Sequence, residues 1–248
     1  MIRTERGGSG GRSILLLHGL GATGAVWAGV ARAIEARGLG RWIAPDLPGH
    51  GASDSRSGYS VGEMASELAP LIRDESEVHV VGHSLGAYLA LALASRWFGT
   101  RVESVLGIGP KVTWTDADLQ GMRDLAARPV RWFAQPDEAI ARYRKVSGLD
   151  EKVAPDPELL DRGIASGDEG FRLAQDPRTF MVGGAPFGTL VASAQARIVL
   201  ARGERDMMVS SAELRAHRAD AQDVAGLGHN LHAEQPAAVI ALLEALLA

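Results

Sequence analysis

Residues 78–86 carry the sequence VHVVGHSLG, and this stretch decides the fold. Its first half, Val78–Val81, is a β-branched run typical of a buried strand, and the following Leu85–Phe98 is an alanine-rich run typical of a buried helix. Between them, a serine flanked by glycines fits a sharp turn that would lift the Ser84 hydroxyl above a sheet. A tight turn whose serine merely caps the helix is the alternative interpretation.

Short apolar runs alternate with amphipathic runs on both sides of this stretch. The expected strands are Ile14–Leu17, Trp42–Ala44, Val78–Val81, Val102–Ile108, Arg197–Ala201 and a short one near Asp223–Ala225. The expected helices are Val26–Ala36, Val61–Ile72, Leu85–Phe98, Ala212–Arg218 and Pro236–Leu247. Continuous apolar strands that alternate with helices predict a mostly parallel sheet of about eight strands, with helices on both faces.

The pattern changes between Lys111 and Pro186. Helical pieces are expected at Asp116–Ala127, Glu138–Val146 and Glu158–Ala165, and we expect no strand there. This segment is too long for a simple crossover connection. We therefore predict a core made of residues 1–110 and 187–248, with residues 111–186 as a helical insertion.

Composition excludes several classes of protein. Hydrophobic residues make up 46% of the chain and charged residues 23%, which is ordinary for a globular protein. The net charge of −4 argues against nucleic acid as a partner. No cysteine is present, so disulfides and thiolate chemistry are excluded. No apolar run is long enough to span a membrane, and the N-terminus has no apolar signal segment. We expect a cytoplasmic protein.

Two glycine-containing loops follow expected strands. The first is His18-Gly19-Leu20-Gly21, where small residues would let the Leu20 N–H pair with the Leu85 N–H in an oxyanion hole. An ordinary strand-to-loop turn is the alternative. The second, residues 45–53, contains two prolines and indicates a rigid loop at the same sheet edge. Its His50 could be a ligand or base, but a structural histidine fits better.

A serine nucleophile needs a base, and a carboxylate orients that base. Asp206 follows the strand Arg197–Ala201, and His229 follows a glycine turn near the C-terminus. The order Ser84, Asp206, His229 is the one expected for this topology. Glu204 competes with Asp206 as the acid. His232 is close in sequence to His229, and we expect it to pack or bond near Glu234.

Together these motifs resemble the α/β-hydrolase fold in its capped, esterase-like branch. The resemblance covers the chain except the insertion and rests on HGLG, PDLPGHG, GHSLG, GERD and GLGHNLHAEQP. It implies Ser84 as nucleophile, His229 as base and Asp206 as acid, with Leu20 and Leu85 amides as the oxyanion hole. It also implies that the insertion is a cap and that neither a metal nor an organic cofactor is needed.

A serine at the sharp turn between strand and helix predicts acyl-enzyme chemistry on a small, largely apolar ester, lactone or thioester. Family members with serine also cleave carbon–carbon bonds, form peracids or act as lyases, so these alternatives stay open. A ligand-binding protein with vestigial hydrolase activity is an alternative of another class, because fold does not fix function. The oligomeric state stays open.

Large apolar side chains of the insertion and of the loops near the site are the candidates for the pocket lining. Candidate lining residues are Trp27, Trp114, Trp132, Phe133 and Met207. The aromatic residues of the insertion could instead only pack its helices onto the core. Its arginines could recognise a carboxylate or a phosphopantetheine, but interleaved acidic residues favour a solvated helix face. These basic residues are Arg123, Arg128, Arg131, Arg142 and Arg144.

Overall fold

The computed structural model describes residues 1–149 and 160–248, and its centre is a seven-stranded sheet. The strands are β1 (Thr4–Gly8), β2 (Arg12–Leu17), β3 (Arg41–Pro45), β4 (Glu77–His83), β5 (Ser104–Ile108), β8 (Arg197–Gly203) and β9 (Gln222–Val224). Their order is β1-β3-β2-β4-β5-β8-β9. All neighbours pair in parallel except β1, which is antiparallel to β3. The mostly parallel sheet is thus confirmed, with seven strands where about eight were expected.

Strand β1 was missed by the sequence reasoning. Its sequence, TERGG, is charged and glycine-rich and has no apolar side chain that would signal a strand. It is held by pairing with β3 from Thr4 opposite Pro45 to Gly8 opposite Arg41. An edge strand of this kind buries little, so apolar periodicity cannot reveal it.

Alternate residues of the central strands supply two separate cores. In β2, Leu15 and Leu17 point into one core and Ile14 and Leu16 into the other. The first core is covered by α2 (Val61–Leu68), α3 (Leu85–Ala94), α6 (Phe187–Ser193) and α7 (Ser211–His217). The second is covered by α1 (Ala28–Ala36), α8 (Leu231–Glu234) and α9 (Pro236–Leu247). Helices on both faces of the sheet are therefore confirmed.

Helix α3 is the most deeply placed helix of the fold. All ten of its residues are buried, as its alanine-rich and uniformly apolar sequence predicts. It ends at Ala94, before the expected Phe98, and Thr100 Oγ1 donates a hydrogen bond to the Leu93 carbonyl just beyond the helix end. Since α3 begins directly after Ser84, its burial fixes the position of that serine.

The insertion between β5 and β8 contains two of the expected helices and one unexpected hairpin. Helices α4 (Asp116–Ala126) and α5 (Pro136–Ser147) match the prediction closely. Strands β6 (Ile164–Gly167) and β7 (Gly170–Leu173) form an antiparallel pair, so the expectation of no strand was wrong. The expected helix Glu158–Ala165 lies partly outside the described residues, and its last two positions are strand. Runs of four residues are too short for period-two alternation to be read.

Backbone hydrogen bonds join the end of this insertion to the core. Gly51 N donates to the Ala174 carbonyl at 2.6 Å, and Asp176 N donates to the Gly49 carbonyl at 2.8 Å. The Tyr59 hydroxyl adds a bond to Asp176 Oδ2 at 2.9 Å. The insertion is therefore anchored on the proline-rich loop at the carboxyl edge of the sheet. No helix in the described part of the chain has the length and apolarity to cross a membrane.

Candidate active site

Ser84 occupies a strained position between β4 and α3. Its backbone has φ 51° and ψ −113°, which a non-glycine residue adopts at a cost of about 1–3 kcal/mol. The Ser84 N–H donates to the Ile108 carbonyl at 2.8 Å, which fixes the turn to β5. A side chain at Gly82 would overlap the Gly86 backbone, and one at Gly86 would overlap the Leu17 carbonyl, so both positions require glycine. The turn presents the serine side chain at the carboxyl edge of the sheet.

Asp206 and His229 form a hydrogen-bonded pair near this edge. His229 Nδ1 lies 2.9 Å from Asp206 Oδ2, and the Met208 N–H donates to Asp206 Oδ1 at 2.7 Å. The carboxylate side chain is fully buried, while the imidazole is 23% exposed. Glu204 is exposed and accepts from the Gly226 N–H at 2.8 Å instead. The geometry therefore favours Asp206 over Glu204 as the partner of His229.

Gly109 packs against this pair and was missed by the sequence reasoning. It follows β5 with φ +57°, and a Cβ there would lie 2.9 Å from Asp206 Oδ2 and 3.2 Å from His229 Nδ1. Only glycine fits this position, because the positive φ strains other residues and the neighbouring atoms leave no room for a Cβ. The available signal was the Gly109-Pro110 pair at the end of an expected strand, which indicates only a turn.

A stack of aromatic rings lies behind His229. The ring centroids of His83 and His229 are 4.6 Å apart, those of His83 and His232 4.3 Å, and those of Trp27 and His232 4.6 Å. His83 Nε2 donates to the His229 carbonyl at 3.0 Å and so ties the serine turn to the histidine loop. Burial holds the pKa of His83 well below its usual value and lowers that of His232 to about 3. Both rings are therefore neutral near pH 7.

This stack corrects two sequence expectations. Trp27 does not line the pocket, because the 3₁₀ helix Gly24–Trp27 directs it into the second core, where it is fully buried. His232 does not bond near Glu234; that carboxylate accepts from the Gly228 N–H at 3.0 Å.

His18 and His50 are structural, as expected for His50. His18 Nε2 accepts from the Leu47 N–H at 2.9 Å, and His50 Nε2 accepts from the Gly21 N–H at 3.2 Å. Burial lowers their pKa values to about 4 and about 3, respectively. As neutral acceptors they join the loops that follow β2 and β3, which holds the loop containing Leu20 in place.

The backbone N–H groups of Leu20 and Leu85 are available to a ligand. Leu85 is the first residue of α3, a position whose N–H has no partner within the helix. The Leu20 N–H makes no backbone hydrogen bond with any described residue. Both residues line the same cavity as Ser84. The arrangement can therefore offer two donors to an oxygen bound next to the serine.

Ser84 and His229 open into a cavity of about 500 Å³. Apolar contributions come from both the core and the insertion: Leu20, Tyr88, Trp114, Met122, Val146 and Phe180. The Ser84 hydroxyl makes no hydrogen bond with another described residue. Hydrogen bonds between a catalytic hydroxyl and its base are often long in unliganded enzymes and shorten when substrate binds. The cavity has the size and the apolar lining of a small-molecule site.

Of the other expected pocket residues, only Trp114 lines this cavity. Its Nε1 donates to the Tyr88 hydroxyl at 3.2 Å. Phe133 is buried and lines a neighbouring cavity, and Trp132 packs beside Gly167 and Arg172 of the hairpin. Met207 is 93% exposed, because the loop after Asp206 turns it to solvent and turns Met208 towards the cavity. The expectations for Trp132, Phe133 and Met207 were therefore wrong for this cavity.

Histidines and carboxylates do not assemble elsewhere into a recognisable metal site. Within residues 1–149 and 160–248, no three such side chains converge in a way that could hold a metal ion. The prediction that no cofactor is used stays a prediction.

Comparison with known proteins points in one direction. The family model described as "Alpha/beta hydrolase family" matches residues 14–242, which is most of the chain. That range contains the serine turn, the Asp206–His229 pair and the whole insertion.

Curated relatives match over shorter stretches. The chain is 40% identical over 108 residues to the magnesium-chelatase 30 kDa subunit of Rhodobacter capsulatus, covering 42% of this chain and 36% of that protein. It is 39% identical over 95 residues to the pimeloyl-[acyl-carrier protein] methyl ester esterase of Aeromonas salmonicida, covering 38% and 35%. An uncharacterised protein of Mycobacterium bovis is 41% identical over 95 residues, 37% of this chain and 27% of that protein. The aligned stretches thus span only about a third of these relatives.

Solved structures match over nearly the whole chain. A thioesterase domain from the curacin biosynthetic pathway has a TM-score of 0.79 and 24% identity, covering 98% of this chain and 94% of that domain. An esterase of M. tuberculosis has a TM-score of 0.73 and 23% identity, covering 99% and 92%. At these identities the likeness establishes the fold alone.

Proposed function

Because the chain belongs to the alpha/beta hydrolase family, we propose that it is a serine hydrolase that cleaves carboxylic esters through an acyl-enzyme. One observation carries the proposal: a strained serine and an Asp-paired histidine open into one largely apolar cavity. Strain maintained at a cavity wall is typical of a functional position. Thioesters and lactones undergo the same acyl chemistry, and the esterase and thioesterase names among the similar proteins support this class.

In the proposed reaction, Ser84 Oγ attacks the substrate carbonyl carbon while His229 Nε2 takes the hydroxyl proton. The alcohol then leaves with that proton, and an ester to Ser84 remains. Water, deprotonated by His229, releases the acid and restores the serine. Asp206 Oδ2 holds the Nδ1 proton of His229, so Nε2 carries the free lone pair and the imidazolium is stabilised.

The Leu20 and Leu85 N–H groups would stabilise the oxyanion of the tetrahedral intermediate. Leu85 also stands at the N-terminus of α3, where the helix dipole favours negative charge. Removing one such donor from a hydrolase costs about 10²–10³ in kcat.

The insertion would act as a cap over the reacting carbonyl. Trp114, Met122, Val146 and Phe180, which all belong to it, line the cavity opposite the core residues. A cap of this kind excludes water and selects substrates by size. We propose the boundaries given by the sequence, with residues 111–186 as the cap and the rest as the core. A small, largely apolar acyl or alcohol group fits this lining.

The test is an assay of p-nitrophenyl esters from acetyl to octanoyl with the wild type, Ser84→Ala and the exposed-serine control Ser57→Ala. We expect turnover by the wild type and control and none above background by Ser84→Ala. Mass spectrometry after treatment with a fluorophosphonate should find the adduct on Ser84. Equal turnover by Ser84→Ala would contradict the assignment.

A folded wild type that neither turns over esters nor reacts with the fluorophosphonate would contradict the proposed function. Carbon–carbon cleavage or ligand binding would then be the functions to test. Labelling without ester turnover would keep the nucleophile and reject the ester as substrate.

A further inference from the structure

A second cavity, of about 160 Å³, adjoins the first. Val146 and Phe180 line both cavities, so the two cavities lie side by side. All the residues that line the second cavity belong to the insertion. Val146 and Phe180 therefore lie between the two cavities, and a substrate long enough to reach beyond them from Ser84 would meet the second cavity.

The second cavity is strongly basic. Arg128, Arg131 and Arg142 line it, and no acidic residue is among the described residues around it. None of the three guanidinium groups forms an ion pair in the described part of the chain. The Arg131 guanidinium lies over the Phe133 ring, 4.7 Å from its centroid, and this contact holds it at the cavity wall. By contrast, core arginines such as Arg202 have carboxylate partners.

Two acidic residues of α4 and α5 have hydrogen-bond partners other than these arginines. Asp124 accepts from Gln120 Nε2 at 2.7 Å, and Glu138 caps the start of α5 through the Gln135 N–H. The sequence pattern favoured a solvated helix face with interleaved charges. Arg128 and Arg131 are exposed and Arg142 is half-buried, as a solvated face requires, but all three also line one cavity and form no ion pair within residues 1–149 and 160–248. Like charges grouped in this way repel each other unless an anion is present.

Positive charge continues from the second cavity towards the first. Arg142, Lys145 and Val146 lie three and four residues apart on α5 and so share one helix face. Lys145 lines the first cavity and makes no ion pair with the described residues. Lys111, on the same cavity, is paired with Asp118 at 3.3 Å.

We propose that the second cavity binds an anionic group of the substrate, a carboxylate or a phosphate, while the acyl bond is held at Ser84. This rests on the proposed hydrolase function and narrows it to esters or thioesters that carry an anion beyond the reacting carbonyl. The planar guanidinium donates two parallel hydrogen bonds to either anion, so both are suitable ligands for this cavity.

The experiment compares matched anionic and neutral substrates. The carboxylate arm uses the monomethyl ester of octanedioic acid against methyl octanoate. The phosphate arm uses octanoyl coenzyme A against the octanoyl thioester of N-acetylcysteamine. In the double variant Arg131→Gln/Arg142→Gln, kcat/KM for the anionic substrate of one arm should fall about tenfold. The neutral partner should change less than about twofold, because apolar burial is untouched. The arm that responds identifies the anion.

Arg123→Gln is the matched control, because the exposed Arg123 side chain bonds to Gln120 of its own helix and does not line the second cavity as the structure describes it. It should leave both substrates of each pair unchanged. The proposal is overturned if the double variant leaves both arms unchanged, or if it lowers anionic and neutral turnover equally.

A binding measurement separates this proposal from the proposed function. Titration calorimetry of octanedioate and of coenzyme A into Ser84→Ala needs no turnover. We expect one of the two to bind, with a Kd about tenfold weaker in Ser84→Ala that also carries the two arginine substitutions. Binding of neither, or equal binding by both proteins, would overturn the anion site even if ester hydrolysis is confirmed.

Discussion

The two carboxylate oxygens of Asp206 have separate partners, and this fixes the histidine. Oδ2 faces His229 Nδ1, and Oδ1 accepts from the Met208 N–H. A buried carboxylate with both oxygens engaged cannot rotate freely. The imidazole is therefore held in one tautomer and one orientation.

Asp206→Asn should reduce kcat by about 10³–10⁴-fold, because an amide nitrogen facing His229 would favour the wrong tautomer. Glu204→Gln should keep activity within about twofold, since the Glu204 carboxylate is exposed and accepts its hydrogen bond from the Gly226 N–H. The measurement is ester hydrolysis at saturating substrate, with thermal unfolding to verify folding. Full activity of Asp206→Asn together with an inactive Glu204→Gln would mean that Glu204, and not Asp206, is the acid that orients His229.

Gly109→Ala should lower both stability and activity. Its Cβ would lie 2.9 Å from Asp206 Oδ2, at a φ of +57°. Gly99→Ala is the matched control, because Gly99 has φ +69° but its nearest neighbour, Arg73 Nε, is 4.0 Å away. Both variants should lose about 1 kcal/mol of unfolding free energy to backbone strain.

Only Gly109→Ala should also lose activity, by about tenfold or more, since a displaced carboxylate misplaces the base. Urea unfolding and kcat measured on both variants check this. Equal activity of the two would mean that the Asp206–His229 pair tolerates the displacement.

At the scale of elements, packing rather than helix propensity decides which glycines can change. A side chain at Gly86 in α3 would overlap the Leu17 carbonyl of β2, whereas Gly121 in α4 has open space around it. The first position is a contact between helix and sheet, and the second is exposed.

Gly121→Ala should therefore raise the free energy of unfolding by up to about 1 kcal/mol, through higher helix propensity alone. Gly86→Ala should lower it by about 3 kcal/mol or more, because α3 must move away from β2. Chemical denaturation of the two variants tests the contrast. A stable Gly86→Ala would contradict the described packing of α3 on β2.

Helices and strands with long apolar runs were predicted from sequence. Strands that are held mainly by backbone pairing with a neighbouring strand were not. Leu85–Ala94 and Pro236–Leu247 are apolar enough to be recognised. Strand β1 has no apolar side chain, and β6 and β7 have four residues each, which is too short for a period-two pattern to be read.

The same division applies to the candidate site. The positions of Ser84, Asp206 and His229 follow from turns after strands, which sequence motifs encode. The pocket walls do not follow from such motifs, because the 3₁₀ helix Gly24–Trp27 directs Trp27 into the core and the loop after Asp206 turns Met207 to solvent. Gly109 and the ring stack of His83 and His232 arise only when distant segments meet.

At the scale of the whole molecule, buried histidines make stability depend on pH, and four of the five have a pKa far below the usual value. Burial lowers the pKa to about 4 in His18, about 3 in His50 and about 3 in His232, and well below its usual value in His83. In the unfolded chain each would titrate near 6.5. Below that pH these histidines bind protons in the unfolded state but not in the folded state, so acid favours unfolding.

The free energy of unfolding should not change through these groups above about pH 7.5. It should fall as the pH drops from 6.5 towards 4, by up to about 1.4 kcal/mol per pH unit for each histidine. Urea denaturation at pH 8, 6 and 5 measures this slope directly. A flat profile between pH 7 and 5 would mean that the histidines are solvated in the folded protein.

The two edge strands of the sheet affect whether the protein aggregates at high concentration. An edge strand can recruit a strand of another molecule if it offers a long, flat row of free backbone groups. Here one border is the five-residue β1, with Glu5, Arg6 and two glycines, and the other is the three-residue β9. Asp223 in β9 is engaged by Arg202 and Arg215. Both borders are poor templates for added strands, so resistance to aggregation depends on the least regular strands of the fold.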